Sequence, residues 1–174
     1  MSKDSKREWI HSAIVIVSVI FPIISYKLFQ VTIIGFGKLL LISIPLGIIV
    51  FALLYKKIKE SESLFDFIHI LTLFFTIYIV GAVVTSLFLG SNYYFADANA
   101  KEYKLKVRYS HSNYSKTGKA YDSVIATYEG IDHAFKTPYE TYKEFKDSPF
   151  YIQATLRNGY WGYPVIDNWK FVAE

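Results

Sequence analysis

The chain has 174 residues, of which 52% are hydrophobic and 20% charged; mean hydropathy is +0.24, formal net charge is +4, and cysteine is absent. That composition excludes a wholly soluble, fibrous or disordered chain. It also excludes disulfides, thiolate metal sites and a cysteine nucleophile. Charge is unevenly spread: residues 1–90 hold 8 Lys+Arg and 5 Asp+Glu, residues 91–174 hold 11 and 10.

Three apolar stretches occupy the first half. They are expected to span about 9–26, 38–55 and 67–90. At 1.5 Å rise per residue, 18 residues cover ~27 Å, close to the ~30 Å hydrocarbon core of a bilayer. Each stretch has few ionisable residues and therefore reads as a transmembrane helix. The first begins like a signal peptide, with Lys3, Lys6 and Arg7 ahead of an apolar run. The run continues through Phe21-Pro22-Ile23-Ile24 with no small-x-small cleavage pattern, so it reads as a retained anchor. Pro22 and Pro45 are expected to kink the first two helices. Gly81, Ala82, Thr85 and Ser86 suit close helix contact in the third; Gly35 and Gly37 before the second either do the same or simply form the short outer loop. Lys27, Lys38, Asp66, His69 and His11 all fall near helix ends, where long side chains snorkel to water. No ionisable group sits at mid-depth, which argues against a proton relay or an ion path.

Orientation follows from the cations beside the spans. Lys3, Lys6 and Arg7 precede the first; Lys56, Lys57 and Lys59 follow the second. The expectation is a cytoplasmic N-terminus and second loop. Residues 91–174 then lie on the far side of a bacterial inner (plasma) membrane. Trp9, Tyr26, Tyr55 and Tyr93-Tyr94-Phe95 occupy the borders, where interfacial rings belong.

Residues 91–102 read as a linker, and residues 103–174 as a small domain of order β-β-β-α-β-β. In Tyr103–Tyr109 apolar residues alternate with Lys104, Lys106 and Arg108, the pattern of a half-buried strand. Ser110–Gly118 reads as a polar loop. Ala120–Tyr128 is a second strand, Glu129-Gly130 a turn, and Ile131, His133 and Phe135 alternate as a third. Thr137-Pro138-Tyr139-Glu140 has a capping box with proline at the first helical position. That helix is expected to end near Asp147-Ser148-Pro149. Phe150–Leu156 is a fourth strand, and Asn158-Gly159 is a two-residue hairpin signal. A fifth strand is expected from Tyr160, with an edge or bulge at Pro164. The fold class is thus an α+β membrane protein: three transmembrane helices, then an extracytoplasmic domain.

The chemical inventory is thin. His111, Glu129, Asp132 and His133 could form a metal site, but adjacent strand residues point to opposite faces. No nucleophile elbow or phosphate-cradling glycine loop occurs. Asn113-Tyr114-Ser115 matches a glycosylation pattern. Nucleic-acid binding is not expected, because the polar half carries only one net positive charge and faces away from the cytoplasm. No enzyme activity, cofactor or metal is expected. The C-terminal aromatics Tyr160, Trp161, Tyr163 and Trp169 are the candidate protein interface, since Tyr and Trp are frequent in hot spots. Lys104, Lys106 and Arg108 are the candidate lipid or partner contact.

The function expected is that of a non-enzymatic accessory or interaction subunit of a membrane or envelope complex. Its partners would be the lipid bilayer and a membrane or periplasmic protein, with a homo-oligomer left open. The alternatives are an immunity-type membrane protein that neutralises an envelope-acting toxin, and a small transporter component.

Overall fold

The computed structural model describes residues 3–59, 66–114, 120–138 and 150–173. It divides into two units: one of three long helices, one of a five-stranded antiparallel sheet. The class is α+β.

The helices are α1 (Lys3–Gln30), α2 (Phe36–Lys59) and α3 (Asp66–Tyr94). Each holds a stretch long and apolar enough to cross a membrane: Ser12–Gln30, Phe36–Leu54 and Ile70–Tyr94. Their mean hydropathies are 2.1, 2.4 and 2.2. The helices outrun the apolar runs read from sequence, because backbone hydrogen bonding continues past the last apolar residue into amphipathic ends. Only 6%, 17% and 11% of the residues in these stretches are buried, so the chain itself leaves most of their apolar surface uncovered.

Within the helical unit, close approach and small polar groups set the contacts. A Cβ at Gly47 would lie 2.7 Å from Ile77 Cα, and one at Gly81 would lie 3.3 Å from Ser43 Cβ. Ser43 and Thr85 hydroxyls are 2.9 Å apart, Ser25 and Ser86 hydroxyls 2.7 Å, and Ser86 Oγ donates to Phe21 O. These are the hydroxyl pairings expected where helices pack without a hydrophobic driving force. Pro22 has no N–H for the Ser18 carbonyl one turn back. The Tyr78 hydroxyl donates to that carbonyl at 3.1 Å. Gly35 and Gly37 are not packing glycines: a Cβ on either would meet open space.

The sheet order is β3-β2-β1-β4-β5, with β1 Ala100–Tyr114, β2 Ala120–Tyr128, β3 Ile131–Pro138, β4 Phe150–Arg157 and β5 Val165–Ala173. It curves into a half-barrel. Its inner face carries Leu105, Val124, Ala126, Phe135, Ile152, Ala154, Leu156, Ile166 and Phe171, all buried. Registers confirm the shared face: Leu105 faces Ile152, Val124 faces Phe135, and Ala154 faces Trp169. Tyr103 and Tyr128 stack edge-on at 5.3 Å on this face. Burial, helped by the Tyr103 hydroxyl, pushes the Tyr128 phenol up to about 12, so it stays neutral in the physiological range.

Four sequence expectations shift. First, β1 extends to Tyr114, and Ser110–Tyr114 pair with Ala120–Val124. Ladder hydrogen bonds from β2 outweigh the weak strand propensity of Ser and Asn. Second, Pro138 is paired opposite Tyr121 at the end of β3 and does not open a helix there. The remainder of that expected helix, residues 139–149, lies outside the described residues. Third, the expected linker is largely structured: Ser91–Tyr94 complete α3 and Ala100–Glu102 pair with β4. Fourth, Asn158-Gly159 is not a two-residue turn. The β4–β5 connection runs over seven residues, 158–164, and β5 begins at Val165, not Tyr160. Glu129-Gly130 is the tight turn expected: φ is 48° and 80°, the left-handed pair that type I′ hairpins require.

Candidate functional site

Residues Phe29–Gly35, the last two residues of α1 and the connection to α2, fold with the sheet. Thr32 bridges Val165 in antiparallel fashion, Ile33 N–H donates to Pro164 O at 2.8 Å, and Ile166 N–H donates to Val31 O at 2.8 Å. The segment therefore meets the start of β5 through a single antiparallel bridge. Ile33 is fully buried in the core cluster. The same segment meets the opposite edge, where His133 of β3 lies 3.0 Å from Gln30 O through Nε2. A carbonyl only accepts, so that ring nitrogen carries the proton. Phe135 of β3 and Trp169 of β5 are in edge contact at 5.3 Å. One seven-residue segment, 29–35, thus touches both edge strands of the half-barrel.

Beside this closure is a cavity of about 200 Å³ lined by Gln30, Val31, His133, Ala134, Phe135, Lys136 and Trp169. Ligand clefts usually run from ~300 Å³ upward. Burial holds the His133 imidazole below its ordinary value of 6.5, against an opposing pull from the Gln30 hydrogen bond. The sign is then determined. Below about pH 6.5 the unfolded chain takes up a proton at this position that the folded chain resists, so stability falls with acidification. Thermal unfolding of the sheet unit, followed by near-ultraviolet dichroism in mild detergent, should show a lower Tm at pH 5.5 than at pH 7.5. The His133→Gln variant should lose that part of the slope.

A second constellation is built on Asn92, in the last turn of α3 and fully buried. Its Nδ2 donates to Tyr163 O at 2.9 Å, and its Oδ1 accepts Trp161 N–H at 3.0 Å. Its backbone carbonyl accepts Tyr160 N–H at 3.2 Å, while Trp161 Nε1–H donates to Ser91 Oγ at 2.7 Å. The β4–β5 connection is wound around this carboxamide. Gly159 is required for that reason: a Cβ there would overlap Tyr163 O and the Asn92 carboxamide. Arg157 Nε binds both oxygens of Asp167 at 2.8 and 2.7 Å, with its guanidinium 5.8 Å from the Tyr93 ring.

The candidate aromatic interface is divided by the fold. Trp169 is half-buried, packed edge-on against Phe135 and Phe171. Tyr163 is also half-buried. Tyr160 and Trp161 are exposed at 61% and 52% and touch each other. The structure therefore does not bring the four into one patch.

Lys104 and Lys106 are exposed on the outer face of the sheet, with Lys136 and Lys170. Lys104 Nζ sits 4.7 Å above the Tyr151 ring. Arg108, at the β1 bulge, pairs with Asp132 at 2.9 Å, and Asp132 also accepts the Thr127 hydroxyl. These two contacts, Thr127 first, hold the Asp132 carboxyl below its ordinary value. Asp132 and His133 lie on opposite faces. Among the described residues no three His, Asp or Glu side chains gather as a metal site. The side chains of His111 and of Lys3, Lys6, Arg7, Lys56, Lys57 and Lys59, expected to set the topology, lie outside the described ones.

Comparison with family models, with curated proteins and with solved structures returns no match. Two parts of the site escape sequence reasoning: Asn92 and the 29–35 segment. The signals were faint. One is a lone Asn at the end of an apolar helix; the other is the β-branched run Val31-Thr32-Ile33-Ile34.

Proposed function

We propose that this chain is a non-enzymatic, membrane-anchored interaction subunit. Its three helices sit in a bacterial inner membrane with the N-terminus in the cytoplasm, and the sheet unit meets a partner protein on the far side. The flanking cations Lys3, Lys6, Arg7, Lys56, Lys57 and Lys59 support that orientation. The observation that carries the reading is the two-sided sheet. Its inner face is filled by its own side chains and Ile33, while its outer face presents Lys104, Lys106, Lys136 and Lys170 to solvent. Such a face suits an acidic partner surface, where charge complementarity sets encounter rate and specificity.

The test is affinity purification of the full-length chain from membranes in mild detergent, followed by mass spectrometry. A stoichiometric companion is expected, and Lys104→Glu with Lys106→Glu should lose it without changing the melting curve. A companion that survives the charge reversal removes the outer face from the interface. A solitary chain overturns the reading.

A further inference from the structure

We infer that the β4–β5 connection is a second membrane contact: Tyr160 and Trp161, together with Tyr94 and Phe95, seat the sheet unit in the lipid headgroup layer. The inference rests on the membrane-spanning reading of α3 and is separate from the partner interface on the outer face.

Tyr94 closes the apolar stretch Ile70–Tyr94, and Phe95 is the next residue. Those 25 residues cover ~37 Å at 1.5 Å each, more than the ~30 Å hydrocarbon core, so a stretch centred on the core reaches the headgroup layer at its Tyr94 end. That layer is some 5–8 Å thick on each side, from a total bilayer of ~40–45 Å. Phe95 and Tyr160 rings are 5.9 Å apart, and Tyr160 and Trp161 rings 4.9 Å apart. Tyr160 is thus held within one layer thickness of the span's end, though it lies 65 residues further along the chain.

Asn92 and Ser91 hold Trp161 by its backbone N–H and by its indole N–H. Exposure is high for all four rings: 76% for Tyr94, 69% for Phe95, 61% for Tyr160 and 52% for Trp161. Amphipathic rings at this depth match the preference of Trp and Tyr for the membrane interface. A protein partner could also cover such rings. The bilayer is favoured because chain connectivity delivers it to this spot.

The experiment uses the full-length chain in phosphatidylcholine vesicles, with the Trp161 signal taken as wild type minus Trp161→Phe. Quenching by acyl-chain-brominated phosphatidylcholine is compared with quenching by aqueous iodide. The expected result is a blue-shifted Trp161 emission, quenched by the brominated lipid and shielded from iodide. Strong iodide quenching without lipid quenching, in a chain that resists alkaline extraction, overturns this inference alone. A chain extracted by alkali overturns the membrane-spanning reading and this inference with it. Phe95→Ser with Tyr160→Ser should move Trp161 toward iodide access; an unchanged lipid quench would show that the cluster does not set its depth.

Discussion

Ile33→Ala is expected to destabilise the sheet unit by about 2–4 kcal/mol, the usual range for a truncated buried isoleucine. Ile33 belongs to the link between two apolar helices, yet it is fully buried among residues of the sheet. If the segment were only a passing loop, the change would be nearly silent. Here it opens a cavity in the inner face and loosens the bridge that Val31, Thr32 and Ile33 make to the start of β5. Equilibrium denaturation in detergent, read by Trp169 fluorescence, measures the effect, because Trp169 packs on the same core. Leu41→Ala is the control. Leu41 is 76% exposed on α2, and the variant should stay within about 0.5 kcal/mol of wild type.

Asn92→Leu, which keeps the branched shape and heavy-atom count of the side chain, should cost about 2–3 kcal/mol. The carboxamide serves Tyr163 O and Trp161 N–H, and leucine can replace neither bond. The penalty for unpaired polar groups makes this loss larger than the net value of the bonds themselves. Gly159→Ala attacks the same arrangement from the other side, because its Cβ would overlap the Asn92 carboxamide and Tyr163 O. The two effects should be non-additive, as expected for residues in direct contact. The same denaturation measurement on both single variants and the double variant reads the coupling. Strict additivity would mean that Asn92 and Gly159 act independently.

Lys104 and Lys106 on the outer face were legible in the alternation of Tyr103–Tyr109. Their placement follows from the two-residue period of a strand, which needs no tertiary information. Tyr160, Trp161, Tyr163 and Trp169 look like one aromatic cluster in the sequence and are two groups in the fold. The seven-residue connection ends before β5, so Trp169 enters the core while Tyr160 and Trp161 remain outside. Ser110–Tyr114 show the same limit: polar composition reads as a loop, and pairing with β2 makes it strand.

Composition and periodicity alone determined the three apolar helices, the strand order along the chain, the Glu129-Gly130 turn and the inward faces of β1 to β4. These depend on local backbone geometry and on runs of apolar residues, which a sequence displays directly. Only the tertiary structure decided that the α1–α2 connection bridges β5 and adds Ile33 to the core, that Asn92 organises the β4–β5 connection, and that Gly159 is needed for space. Each joins residues 60 or more positions apart. Their partners are backbone carbonyls and amides, which every residue carries and no sequence pattern marks.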